Sequence, residues 1–128
     1  MILGIGTDLV DIKRIEDKLA KNNGFVEMVF SEKEIQYCQI MRYPAQHFAA
    51  RFAAKESLLK AVGKGLLLDI SLSKIEVCNN EHGKPYFNLD SHTTSLINAE
   101  IDTLKWIAHL SLSHTQSMAS AFVIIETF

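Results

Sequence analysis

Residues 48–62 read FAARFAAKESLLKAV, and nearly every uncharged position in this run is apolar or alanine. Four charges are set inside it: Arg51, Lys55, Glu56 and Lys60. At about 100° per residue they fall on two neighbouring stripes of a helix, Arg51 with Lys55 and Glu56 with Lys60. Lys55 falls between Phe52 and Leu59 on the same wheel. A helix apolar nearly all round is a buried one, and charge there is costly unless it is paired or held by a ligand. Two readings fit. Glu56 and Lys60 form an ordinary helix ion pair at the surface, or three cations and one carboxylate make a site for a highly anionic ligand. Asp8 is the other candidate, at the end of an apolar stretch. It is either a cap for the helix that follows, a role Asp11 can also fill, or a ligand for magnesium. Mg²⁺ prefers one or two carboxylates with water and substrate phosphate oxygens, so Asp8 and Glu56 suffice once the fold brings them together.

The elements that must position these residues are legible in outline. Residues 2–10 mix Ile, Leu and Val with glycine and predict a short buried strand. From Ile12 the spacing turns helical, with Ile12, Ile15 and Leu19 on one side, until Asn22-Asn23-Gly24 ends it. Ser31 followed by Glu34 is a capping-box pattern and predicts a helix to about Arg42. Pro44 opens the next helix, which runs to Val62, and Gly63-Lys64-Gly65 stops it, glycine accepting the left-handed conformation cheaply. Ile75 and Val77 alternate as a strand, NEHGK turns the chain, and Tyr86 to Leu89 forms a second strand. A helix over about 92–104 and strands over about 106–113 and 118–126, joined by a turn at His114 to Ser117, complete the chain. Helices and hairpins in separate blocks predict an α+β fold with a mainly antiparallel sheet.

Bulk properties narrow the function. The 128 residues make a single domain, 1–128, with enough core to need no disulfide or structural metal. A net charge of −2 argues against general nucleic-acid binding, which shows a strong basic excess. No apolar run approaches the ~20 residues of a membrane span, the start lacks a signal-peptide pattern, and Cys38 and Cys78 stand alone as small hydrophobes. A cytoplasmic location, without membrane or nucleic-acid partners, is the expectation. His47, His82, His92 and His109 have no zinc-ligand spacing. The GKG follows a helix where a phosphate-binding P-loop must precede one, and no pattern marks a covalent nucleophile.

Four stretches together resemble the holo-acyl-carrier-protein synthases, the small bacterial 4′-phosphopantetheinyl transferases. They are GIGTDLVDIKRIE at 4–16, RFAAKESLLKAVGKG at 51–65, HGKPYF at 82–87 and LSLSHT at 110–115. They span nearly the whole chain in the family's order. The resemblance implies an α+β protomer in a homotrimer, with active sites in clefts between subunits. It implies transfer of 4′-phosphopantetheine from coenzyme A to a serine of apo-acyl carrier protein, releasing adenosine 3′,5′-bisphosphate in support of fatty acid biosynthesis. Asp8 and Glu56 would then hold Mg²⁺, and Lys60 would face the pyrophosphate. Arg51 and Lys64 become candidates for coenzyme A phosphates. Gly65, Gly83-Lys84-Pro85 and Ser113-His114-Thr115 become candidates for the cofactor cleft. Lys64 departs from the family pattern, which often has a small hydroxyl residue there; its charge either helps hold the anion or is solvated at a helix end.

In this scheme Glu56 takes the serine proton, directly or through a metal-bound water, and Lys60 stabilises or protonates the leaving bisphosphate. Arg14, Lys18 and Lys21 make one basic stripe on the first helix, a docking face for an acidic carrier. Two rival readings are another Mg²⁺-dependent phosphotransferase or nucleotide hydrolase, and a non-catalytic module that docks an acidic protein. The joint presence of Asp8 and the Glu56/Lys60 pair argues for chemistry, since docking needs neither.

Overall fold

The structure is a computed structural model and describes residues 1–63 and 70–128. Strand β1 (Ile2–Asp11) leads into helix α1 (Ile12–Ala20), followed by α2 (Phe25–Val29), α3 (Glu32–Gln39) and the long helix α4 (Pro44–Val62). A 3-10 turn at Leu72–Lys74 precedes the hairpin β2 (Ile75–Asn79) and β3 (Pro85–Leu89). Helix α5 (Ser91–Ile101) and the hairpin β4 (Trp106–His114) and β5 (Met118–Thr127) complete the order. All pairings are antiparallel, in two sheets among the described residues: β1-β5-β4 and β2-β3. The α+β expectation holds.

Helix α4 is the centre of the molecule, and it lies directly on the inward face of β1. That face carries Gly4, Gly6, Asp8 and Val10. A Cβ on Gly4 would stand 1.9 Å from the Ala61 carbonyl oxygen, and one on Gly6 would stand 1.8 Å from that of Ser57. Only glycine therefore lets the helix backbone approach this closely. The alternate residues Ile5 and Leu9 face outward and are exposed, so β1 is buried on one face rather than wholly buried as its composition predicts. On β5 the period-2 alternation places Ala119, Ala121, Val123 and Ile125 against α4.

Local signals explain most boundaries. Asp11 caps α1 by accepting the Lys13 N–H at 3.0 Å, which leaves Asp8 free of that duty. Ser31 and Glu34 form the expected reciprocal capping box of α3. Four points depart from expectation. Helix α3 ends at Gln39 rather than Arg42, and α5 ends at Ile101 with Asp102 in the left-handed conformation. Helix α2 has no counterpart in the sequence reading. Gly63 ends α4 with φ 126° and ψ 170°, a glycine conformation different from the left-handed cap expected there.

Candidate active site

The close approach of α4 to β1 decides where Glu56 and Lys60 lie. Lys60 Nζ donates to Asp8 Oδ1 at 3.1 Å and to the Thr7 carbonyl at 3.0 Å. The expected surface pair between Glu56 and Lys60 thus gives way to a contact across the helix–strand boundary. Glu56, Asp8, Asp11, Arg14, Lys18 and Phe52 line one open cavity of about 280 Å³. Burial pushes the Glu56 carboxyl above its ordinary value, the negative charge of Asp8 adds to that, and Lys60 partly opposes both. Two carboxylates therefore feel each other across a shared cavity, with Lys60 as the cation beside them.

The notion of three cations and one carboxylate converging on one ligand does not survive. Lys55 is wholly buried and its Nζ lies 2.7 Å from Glu34, so it is a core ion pair. Arg51 is also buried, at 3% exposure, on the same stripe as Lys55 and away from Asp8. Its guanidinium lies 4.3 Å from the Tyr37 ring centre, and its Nη2 donates to Asn79 Oδ1. Among the described residues Arg51 Nε has no hydrogen-bond partner, an unusual position for a buried cation.

Asn79 carries the connection onward, donating its amide to the Gly83 carbonyl at 2.9 Å. Gly83, with φ 81°, and Lys84 turn the β2–β3 hairpin, and Pro85 opens β3. The turn is tied by Asn80, whose side-chain oxygen accepts the His82 and Lys84 N–H groups. Ser113-His114-Thr115 lie where β4 turns toward β5. His114 and Thr115 border a cavity of about 620 Å³, together with Glu16, Arg42, Tyr43 and Gln46. The His47 ring lies 6.0 Å from that of Tyr37, and burial, with Arg51 adding to it, lowers its pKa. Ser113 lies on the exposed outer side of β4, pairs with Ser120 and is absent from that lining. Lys64 and Gly65 lie outside the described residues.

The basic stripe on α1 divides. Arg14 and Lys18 border the Asp8–Glu56 cavity, with Lys18 Nζ 5.4 Å from the Phe25 ring centre. Lys21 is the C-terminal capping residue of the helix and does not line it. The sequence reading misses Arg42, Tyr43 and Asn79. Arg42-Tyr43 stands immediately before the proline that opens α4, which is the one local clue to its place at the helix entrance. Asn79 offers none beyond its position ahead of a turn.

The residues fit a magnesium ion of the kind anticipated. Among the described residues no group of three or more His, Cys, Asp or Glu side chains could hold a metal. Two carboxylates on an open cavity, with the charge of Asp8 disfavouring ionisation of Glu56, are still a donor set that suits Mg²⁺ when phosphate and water complete the shell.

Comparison with known proteins places the chain in a family. The profile of the 4′-phosphopantetheinyl transferase superfamily matches residues 4–120. A holo-(acyl-carrier-protein) synthase of Cytophaga hutchinsonii is 45% identical over 126 residues, covering 98% of each chain. One of Syntrophus aciditrophicus is 46% identical over 127 residues, covering 98% of this chain and 97% of its own. Among solved structures, the holo-(acyl-carrier-protein) synthase of Neisseria meningitidis superposes with a TM-score of 0.86 at 33% identity, covering 99% of this chain and 100% of its own. That of Bacillus anthracis, in complex with CoA (3′,5′-ADP), gives 0.81 at 35% identity, covering 100% of this chain and 99% of its own.

Proposed function

This chain belongs to the 4′-phosphopantetheinyl transferase superfamily, and we propose on that footing that it transfers 4′-phosphopantetheine from coenzyme A to a serine of apo-acyl carrier protein. Adenosine 3′,5′-bisphosphate is the other product. The observation that carries the reading is the meeting of Asp8 and Glu56 on one cavity, with Lys60 bonded to Asp8 at 3.1 Å.

The chain's own residues divide the work. Asp8 and Glu56 would hold a Mg²⁺ ion, which when bound would supply neutralisation of the pyrophosphate charge. Glu56, on the cavity beside Asp8, would be the acceptor for the proton of the attacking serine hydroxyl. Lys60 stands at the exposed edge of the site and places its ammonium beside the leaving bisphosphate. Phosphoryl transfer asks chiefly for such positioning and charge stabilisation. Arg14 and Lys18, at the mouth of the same cavity, face the acidic carrier, with Lys21 extending the charge along the helix. Arg51, buried with a spare donor, and Gly83-Lys84-Pro85, tied to it through Asn79, form a second cofactor region with His114 and Thr115. Ser113, Lys64 and Gly65 contribute from its margins.

We read the working form as a homotrimer. One chain carries the metal-binding carboxylates and the Arg51/His114 region as separate patches, and a neighbour's patch would complete each cleft. The outer face of the β1-β5-β4 sheet presents Ile5, Leu9, Phe122 and Ile107, all exposed in the single chain. Such an apolar face suits self-association. No described helix is long and apolar enough to cross a membrane, consistent with work in the cytoplasm on soluble substrates.

The test is direct. Incubation with coenzyme A, Mg²⁺ and an apo-carrier should add about 340 Da, the phosphopantetheine group, to the carrier in a mass spectrum. Asp8→Ala and Glu56→Ala should each abolish the gain, and chelation of the metal should do the same. Normal turnover by either variant would remove the metal assignment. Hydrolysis of coenzyme A without modification of the carrier would point to a different phosphotransferase.

A further inference from the structure

From Phe48 to Val62, helix α4 buries every position except the narrow stripe of Phe52, Glu56 and Lys60. With so little exposed edge, hydrophobicity only loosely sets the roll of the helix about its own axis. Alanines add little steric keying. Yet the site depends on the roll, because a rotation by one position, about 100°, would carry Glu56 away from Asp8.

A set of directional polar contacts lies on the neighbouring stripe of Arg51 and Lys55. Lys55 Nζ uses all three donors: Glu34 Oε1 at 2.7 Å, the Leu72 carbonyl at 2.9 Å and the Ile75 carbonyl at 2.7 Å. Glu34 answers with both oxygens, taking the Ser31 N–H at 2.9 Å on Oε1 and the Val77 N–H at 3.0 Å on Oε2. Both side chains are fully buried. One ion pair thus joins α4 to the start of α3, the 3-10 turn and β2. Arg51, one turn earlier on the same stripe, adds its bond to Asn79. Stability alone does not account for such a pair, because well-packed apolar residues of similar volume often serve as well or better.

We propose that Glu34 and Lys55 are positioning residues for the transfer reaction. Their directional bonds select the roll of α4 that sets Glu56 beside Asp8. Lys55, with no exposed surface, touches neither substrate nor metal; it acts through its sequence neighbour. This rests on the transferase reading.

The experiment separates stability from positioning. The double variant Glu34→Leu/Lys55→Met removes both charges together and is expected to fold with a lowered thermal midpoint, because the Ser31 and Val77 N–H groups and the Leu72 and Ile75 carbonyls lose their side-chain partners. Its kcat should fall by about 10- to 100-fold, the scale of a misplacement near 1 Å. Its KM for coenzyme A should stay close to the wild-type value. Its affinity for Mn²⁺, measured by electron paramagnetic resonance without substrate, should fall as well. Wild-type kcat and Mn²⁺ affinity in the folded double variant would overturn the proposal. If the double variant does not fold, Glu34→Gln, which keeps volume and one acceptor oxygen, decides: a lower kcat at unchanged KM supports positioning, and a wild-type kcat refutes it. Absence of transfer by the wild type itself would instead refute the transferase reading.

Discussion

Burial and the charge of Asp8 both press the Glu56 carboxyl above its ordinary value of 4.5, with Lys60 opposing them. A stability consequence follows from the sign of that shift. Between 4.5 and the raised value the folded chain holds this proton more firmly than the unfolded chain does. Stability therefore declines as pH rises through that window, and the cost is complete at neutral pH. Glu56→Gln, which carries no charge at any pH, should melt above the wild type at pH 7 in the presence of a chelator. The two melting curves should converge below pH 4.5, where Glu56 is protonated in both states. The same substitution should abolish transfer. A variant that melts below the wild type at pH 7 would show that the carboxylates do not repel each other in the folded chain.

At the scale of elements, the contact between β1 and α4 depends on two missing side chains. Gly6→Ala places a methyl group 1.8 Å from the Ser57 carbonyl oxygen, a backbone atom that cannot turn aside. The helix must lift from the strand, which should cost about 1–3 kcal/mol and draw Glu56 and Asp8 apart. Urea unfolding measures the first effect and the metal concentration for half-maximal rate the second; an unchanged midpoint would show that the strand yields instead. Helix starts were legible where a capping side chain was read, as at Asp11 and Ser31. Helix α2 was not legible, because it has five residues and Gly24 caps it without a side chain. Too few residues were available to show a period.

The whole molecule leaves one apolar sheet face outward, and its composition carries a prediction about assembly. Phe122, 44% exposed, sits on the central strand of that sheet opposite Thr7 of β1 and Ser111 of β4. Phe122→Asp should leave the inner face against α4 intact while placing charge in the middle of the outer one. Sedimentation should find the wild type as a trimer and Phe122→Asp as a folded monomer with little transfer activity, since each cleft then lacks its second wall. A wild-type chain that sediments as a monomer would end the trimer reading.

The amino-acid sequence determined the existence of α4, its proline start and glycine stop, the capping box of α3, the antiparallel hairpins and the family motifs that single out Asp8, Glu56 and Lys60. Each is a local property, set by neighbours within a few positions or by a recognisable run of residue types. The tertiary structure decided what the charges on α4 do. A helical wheel places Arg51 and Lys55 about 100° from Glu56 and Lys60 but says nothing of the helix's roll relative to the sheet. Only packing shows that one stripe is anchored in the core by Glu34 and Asn79 while the other meets Asp8. Lys55 is the sharpest case: read along the chain it is one more cation for an anionic ligand, and in the folded molecule it is a buried partner of Glu34. That reversal has a physical cause, because a buried charge takes its role from whichever distant group the fold brings within hydrogen-bonding reach.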